Sequence, residues 1–145
     1  MTPEALATLH AAAFSNDRGW SADEFRTLLD GPYCHLSTAT NGFALWRAIA
    51  GEAELLTIAT HPDHRRQGVG TELMHLWMRA AQDTAQTAFL EVAADNTPAI
   101  RLYARFGFEV VARRAGYYKR ADQKVDALNM RAALPFSDFT KPAGD

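Results

Sequence analysis

The apolar positions of the chain fall into four stretches with helical spacing and six that read as extended. In the first, Pro3 fits an opening helical turn, and Ala5, Leu6, Leu9, Ala12, Ala13 and Phe14 then recur at helical intervals. Residues 15–19 are a polar break. Ser21-Ala22-Asp23-Glu24 reads as a capping box opening a second helix that buries Phe25, Leu28 and Leu29 and stops at Gly31-Pro32. Residues 33–38, 42–50 and 53–60 read as strands. Asn41-Gly42 and Gly51-Glu52 are turn signals, so these three form an antiparallel meander. Pro62 ends the third strand. Residues 68–85 predict a long helix with Leu73, Leu76, Trp77 and Ala80 on its buried face. A short strand at 89–93, a helix at 97–106 closed by Gly107, and strands at 108–112 and 125–130 complete the pattern, with 113–124 as a connection.

This order predicts an α/β protein with a mixed, mostly antiparallel central sheet flanked by helices. The strand–helix–strand steps of the second half demand crossover connections, so part of the sheet is parallel. Residues 1–134 read as one domain and residues 135–145 as a loosely ordered tail.

Composition narrows the class. A chain of 145 residues is one domain's worth and buries about two-thirds of its unfolded surface without staples. The net charge of -2 provides no basic field, so direct nucleic-acid binding is not expected. The single cysteine, Cys34, excludes an internal disulfide framework and a cysteine-based zinc site. The histidines show no metal spacing, and His61 and His64 read as surface residues. No apolar run is long enough to span a membrane. The first residues read as an amphipathic helix and not a signal peptide, so a cytoplasmic, reducing setting is expected.

Three features carry candidate chemistry. Arg65-Arg66-Gln67-Gly68-Val69-Gly70-Thr71 follows a strand and opens a helix. Two glycines let a ligand approach the backbone, the helix N-terminus offers unpaired amides, and the arginines add positive charge: together, a pyrophosphate cradle. The plainer alternative is a glycine-bearing turn before a solvated helix. No Lys-Ser/Thr follows Gly70, and Leu73 stands where a dinucleotide fingerprint needs its third glycine. Glu91 interrupts the otherwise apolar strand Phe89-Leu90-Glu91-Val92-Ala93. Burial there would disfavour its charged form and suit it to act as a general base, unless it lies at an exposed end or pairs with an arginine. Asn96 and Tyr103 are nearly two helical turns apart and share one helix face. Each has a bland alternative, Asn96 as an N-cap and Tyr103 as core.

These pieces, in this order, resemble the GNAT superfamily of acetyl-CoA-dependent N-acetyltransferases. Arg65-x-x-Gly68-x-Gly70 is similar to its coenzyme A motif. The closer resemblance is to the RimI-type ribosomal-protein-alanine acetyltransferases over roughly residues 14–131. It is carried by Trp20-Ser21 with Phe25, Ile58-Ala59-Thr60, Leu90-Glu91-Val92, Asn96, Ala99 through Tyr103, Gly107-Phe108, and Arg114-x-x-Tyr117-Tyr118. The resemblance implies Glu91 as general base and Tyr103 as general acid. It implies acetyl-CoA contacts at Ile58, Ala59, Thr60, Arg65, Arg66, Gln67, Gly68, Val69, Gly70, Thr71 and Asn96, and an acceptor site bordered by Trp20, Tyr117 and Tyr118. No metal is called for. The implied acceptor is a protein N-terminus, the alanine of a ribosomal protein. The alternatives are a small amine, a lysine, or a non-catalytic acetyl-CoA-binding domain. Two departures bear on the acceptor side. The first helix starts almost at Met1, without the strand the family usually places before it, and Gly19 stands where a proline often precedes the tryptophan.

Overall fold

The computed structural model describes residues 1–14 and 19–136. Residues 15–18 of the polar break and residues 137–145 of the tail lie outside the described residues. The elements are α1 (Pro3–Ala13), α2 (Ala22–Asp30), β1 (Cys34–Ala39), β2 (Gly42–Ile49), β3 (Glu52–Thr60), α3 (Val69–Ala81), β4 (Thr87–Ala93), α4 (Thr97–Arg105), β5 (Glu109–Lys119) and β6 (Lys124–Ala133). A single 3-10 turn, Pro62–His64, links β3 to the loop before α3.

The sheet has six strands in the order β1-β2-β3-β4-β6-β5. Every neighbouring pair is antiparallel except β3 with β4, which α3 joins by a crossover. The expected α/β class and mixed sheet are observed. One helix layer, α3 with α4, packs on the face presented by Trp46, Leu55, Leu90, Val92, Leu128 and Met130. On the other face, α1 and α2 pack Leu6, Leu9 and Phe25 against Phe43, Leu45 and Ala59.

Local chemistry explains most element ends. Thr2 caps α1 by accepting from the Ala5 amide. The Ser21–Glu24 capping box forms in both directions, at 3.1 and 3.2 Å. The α3 entry is different: Gly68 occupies the N-cap at φ +81° and no side chain caps the helix.

Two sequence readings need correction. The buried face of α3 is Val69, Leu73, Met74, Trp77, Met78 and Ala81, whereas Leu76 and Ala80 are exposed. The helix carries apolar residues on more than one face, and only its neighbours decide which face is covered. Residues 113–119 are not a connection but the second half of β5. Their polar, arginine-rich composition hid a strand at the sheet edge, where almost every side chain is exposed. The core also reaches past Leu134, since the Phe136 ring lies 5.7 Å from those of Phe106 and His75.

Candidate active site

The site begins with a failure of strand pairing. β3 and β4 are hydrogen-bonded only from Glu52↔Thr87 to Leu55↔Leu90, although β3 continues to Thr60 and β4 to Ala93. The ladder stops at a bulge. Leu45 faces Thr57 and Trp46 faces Leu55, so Leu56 is an extra residue in β3. Such a bulge bends its strand and re-aims the residues beyond it. From Leu56 onward β3 stays with β2 and diverges from β4.

A cleft of about 770 Å³ occupies this wedge. One wall is Leu56, Thr57, Ile58 and Thr60 of β3, the other Glu91, Val92 and Ala93 of β4. Gly70 of α3 and Asn96, Ala99, Leu102 and Tyr103 of α4 close one side, while His10, Phe14, Trp20, Tyr117 and Tyr118 close the other. The fold therefore brings together nine residues singled out in the sequence: Trp20, Ile58, Thr60, Gly70, Glu91, Asn96, Tyr103, Tyr117 and Tyr118.

Glu91 is half-buried and faces Asn129 of β6 across the ladder. It stands at the wall of an open cleft and not in the core. Tyr103 is 6% exposed. Burial pushes its phenol well above the usual range, and the nearby Tyr118 adds to the shift. The hydroxyl therefore keeps its proton at neutral pH. Asn96 caps α4, its Oδ1 accepting from the Ala99 amide at 3.3 Å, and it also borders the cleft. The cap does not remove it from the cleft wall.

The glycine loop meets the wedge from the end. A Cβ on Gly68 would meet nothing within 4 Å, so space lies open beside this residue, and no side chain caps the α3 N-terminus. Arg66 adopts φ +64°, which a side chain rarely takes up, and turns the backbone into this loop. A Cβ on Gly70 would come within 3.1 Å of Leu102 Cδ2, so this glycine lets α3 and α4 approach. These open amides fit a pyrophosphate.

Several side chains of the motif have other partners. Arg65 donates to the Ala13 carbonyl at 2.7 Å and so holds the end of α1. Gln67 meets His64 Nδ1 at 3.2 Å, and Thr71 accepts from Arg105 at 2.8 Å. Ala59 and Val69 are buried in opposite core layers.

The tyrosine pair is shaped by a larger irregularity. Arg114 faces Ala127 and Tyr118 faces Val125, so residues 115–117 bulge out opposite Asp126. Gly116 sits there at φ +61°, and its amide donates to Asp126 Oδ1 at 2.8 Å, while Arg113 Nε donates to Oδ2 at 2.6 Å. The Gly116 amide first, and then Arg113, holds the Asp126 carboxyl below its usual range. The tyrosine rings are perpendicular at 5.2 Å, and Arg114 lies over Tyr117 at 4.7 Å.

Sequence reading missed several lining residues. His10 is 4% exposed, accepts from the Trp20 amide at 3.3 Å, and stacks on the Trp20 ring at 5.2 Å. Its signal was a histidine at a buried helical position. Glu54 and Thr57 also line the cleft, but the bulge between them hides their common face from a simple alternation. Lys119 and Arg120 were hidden in the misread half of β5 and its turn. Among the described residues, no group of three His, Cys, Asp or Glu is placed to hold a metal ion. No helix among them is long and apolar enough to cross a membrane.

Comparisons with known proteins identify the family. The family model for the acetyltransferase (GNAT) family matches residues 6–108. The [ribosomal protein bS18]-alanine N-acetyltransferase of Escherichia coli (strain K12) is 34% identical over 141 residues, covering 94% of each chain. The N-alpha-acetyltransferase RimI of Mycobacterium tuberculosis (strain ATCC 25618 / H37Rv) is 31% identical, covering 86% of this chain and 82% of its own. Among solved structures, the Escherichia coli ribosomal-protein-S18-alanine N-acetyltransferase superposes with a TM-score of 0.80 at 28% identity, over 88% of this chain and 84% of that one. A chain with this wedge, glycine loop and kinship belongs to the GNAT family of acetyltransferases.

Proposed function

We propose that this enzyme acetylates the α-amine of an N-terminal alanine on a ribosomal protein, with Glu91 as general base and Tyr103 as general acid. The observation that carries the reading is the 34% identity over 94% of both chains to an enzyme named for that reaction. The juxtaposition of Glu91 and Tyr103 on the walls of one cleft supports the two roles. A ribosomal acceptor implies work in the cytoplasm.

Acetyl-CoA, the acetyl donor of the family, supplies a reactive thioester. The open amides at Gly68 to Gly70 suit its pyrophosphate, and the β3 edge from Leu56 to Thr60, left without a partner strand, suits its extended arm. Amides of that edge can also stabilise negative charge on the thioester oxygen. The acceptor must present a neutral amine. An α-amine, with a pKa of about 8, gives up its proton more readily than a lysine at about 10.4. Glu91, open to the cleft, takes that proton directly or through one water. Tyr103, held neutral by burial, donates its hydrogen toward the sulfur as negative charge grows there. Trp20, Tyr117 and Tyr118 border the acceptor side.

The test is an acetyl-transfer assay on three acceptors: a peptide beginning with alanine, the same peptide with a blocked α-amine and one internal lysine, and a polyamine. Turnover confined to the free alanine peptide is expected. Preferred turnover of the polyamine or the blocked peptide would overturn the acceptor assignment.

A further inference from the structure

We infer that Glu54 is a second acceptor-binding residue, which with Glu91 captures the incoming amine in its ammonium form. The inference rests on the wedge being the site of transfer. Among the described residues, Glu54 and Glu91 are the only carboxylates lining the cleft. Register places them on one face: Glu54 pairs with Phe89 across the parallel ladder, and Glu91 is two residues further along the same strand. Both carboxylates therefore stand on one face of the sheet and border the same cleft. Glu54 also lines a second cavity, of about 430 Å³, on the open sheet face with Arg47, Phe89 and Asn129. It therefore stands where the cleft meets that cavity.

The group is already oriented for this task. Arg47 is its direct cross-strand partner and forms an ion pair with it. Both side chains remain about half exposed, at 41% and 46%, so the pair does not seal the carboxylate from a ligand. The arginine fixes one oxygen and leaves the other available. In the division of labour that follows, Glu54 holds charge and position while Glu91 receives the proton. Glu54 thus governs acceptor capture, and chemistry proceeds once the amine is seated.

The alternative is that Glu54 serves only the strand pair with Arg47. Steady-state kinetics on Glu54→Gln and Arg47→Met separate the two. The acceptor is whichever primary amine the wild type acetylates, because the ammonium is common to all of them. Glu54→Gln should raise the acceptor KM about tenfold, the lower end of the effect of a hydrogen bond to a charged group. Its kcat and the KM for acetyl-CoA should change less than about threefold. Arg47→Met removes a cation from beside the site and should leave the acceptor KM unchanged or lower. Glu54→Asp should recover part of the loss. Opposite directions for the two variants support the inference. An unchanged acceptor KM in Glu54→Gln, or equal increases in both variants, would overturn it. Loss of preference for alanine peptides leaves this test intact, whereas a wild type inert toward every primary amine would sink both readings.

Discussion

Gly42 is the first residue of β2, and replacing it with alanine is a sharp test of how the α3 entry is held. A Cβ there would lie 2.7 Å from Val69 Cγ1, 2.9 Å from the Ala59 carbonyl oxygen and 3.0 Å from Leu73 Cδ1. The backbone of Gly42 needs no left-handed conformation, so the cost is steric alone. None of the three atoms can retreat easily. Ala59 is fixed in the β2–β3 ladder opposite Phe43, and Val69 and Leu73 are buried at the start of α3. Overpacking of this kind costs about 1–3 kcal/mol, and the stiffer unfolded chain returns about 0.4–1 kcal/mol. The net loss is about 1–2 kcal/mol, or about 3–8 °C in Tm for a chain of this size. Because Val69 is the residue pushed, the amides next to Gly68 and Gly70 should move with it, and the KM for acetyl-CoA should rise more than kcat falls. Thermal melts and steady-state kinetics on one purified variant give both numbers. Gly68→Ala is the contrast: it meets no atom within 4 Å but takes on the strain of φ +81°, about 1–2 kcal/mol. A Gly42→Ala protein with the wild-type Tm and KM would refute the reasoning.

Three further outcomes follow from the site. Glu91→Gln keeps the shape but not the basicity, and should lower kcat by about 10²–10⁴-fold with coenzyme binding retained, as calorimetry would register; wild-type turnover would move the base elsewhere. Tyr103→Phe should lower kcat more than it changes the acetyl-CoA KM, and full kcat would remove the general-acid role. It also has a pH signature. The folded phenol binds its proton more tightly than the unfolded one, so wild-type stability falls as pH rises above about 10, and denaturant melts of the variant should lose that slope. Asp126 has the opposite sign: its lowered pKa adds stability above the usual carboxylate range, lost as pH falls through the folded value. Asp126→Asn should flatten this acid limb in melts and raise the acceptor KM by loosening the bulge behind Tyr117; an unchanged acid limb would show the Gly116 and Arg113 contacts to be idle.

Element type was legible wherever a single stretch carries its own signal. The Ser21–Glu24 box, the meander from β1 to β3 and the Asn96 cap all depend on residues within a few positions of each other, and all three form. The glycine motif, Glu91 and Tyr103 were likewise visible as chemistry without a place. Other features depend on neighbours distant in the chain. Which face of α3 is covered follows from β1 and β2 lying beneath it, and no periodicity in the helix separates Leu76 from Met74. The strand character of 113–119 comes from pairing with β6, with Asp126 satisfying an amide that the bulge would otherwise orphan. The candidate cleft is the clearest case. Its walls diverge because one extra residue, Leu56, ends the β3–β4 ladder. The chain alone singled out Glu91, Tyr103 and the glycine motif as candidate chemistry. Only the tertiary structure decided that they meet, because their meeting depends on a hydrogen-bonded ladder that stops, and a ladder is a property of two strands.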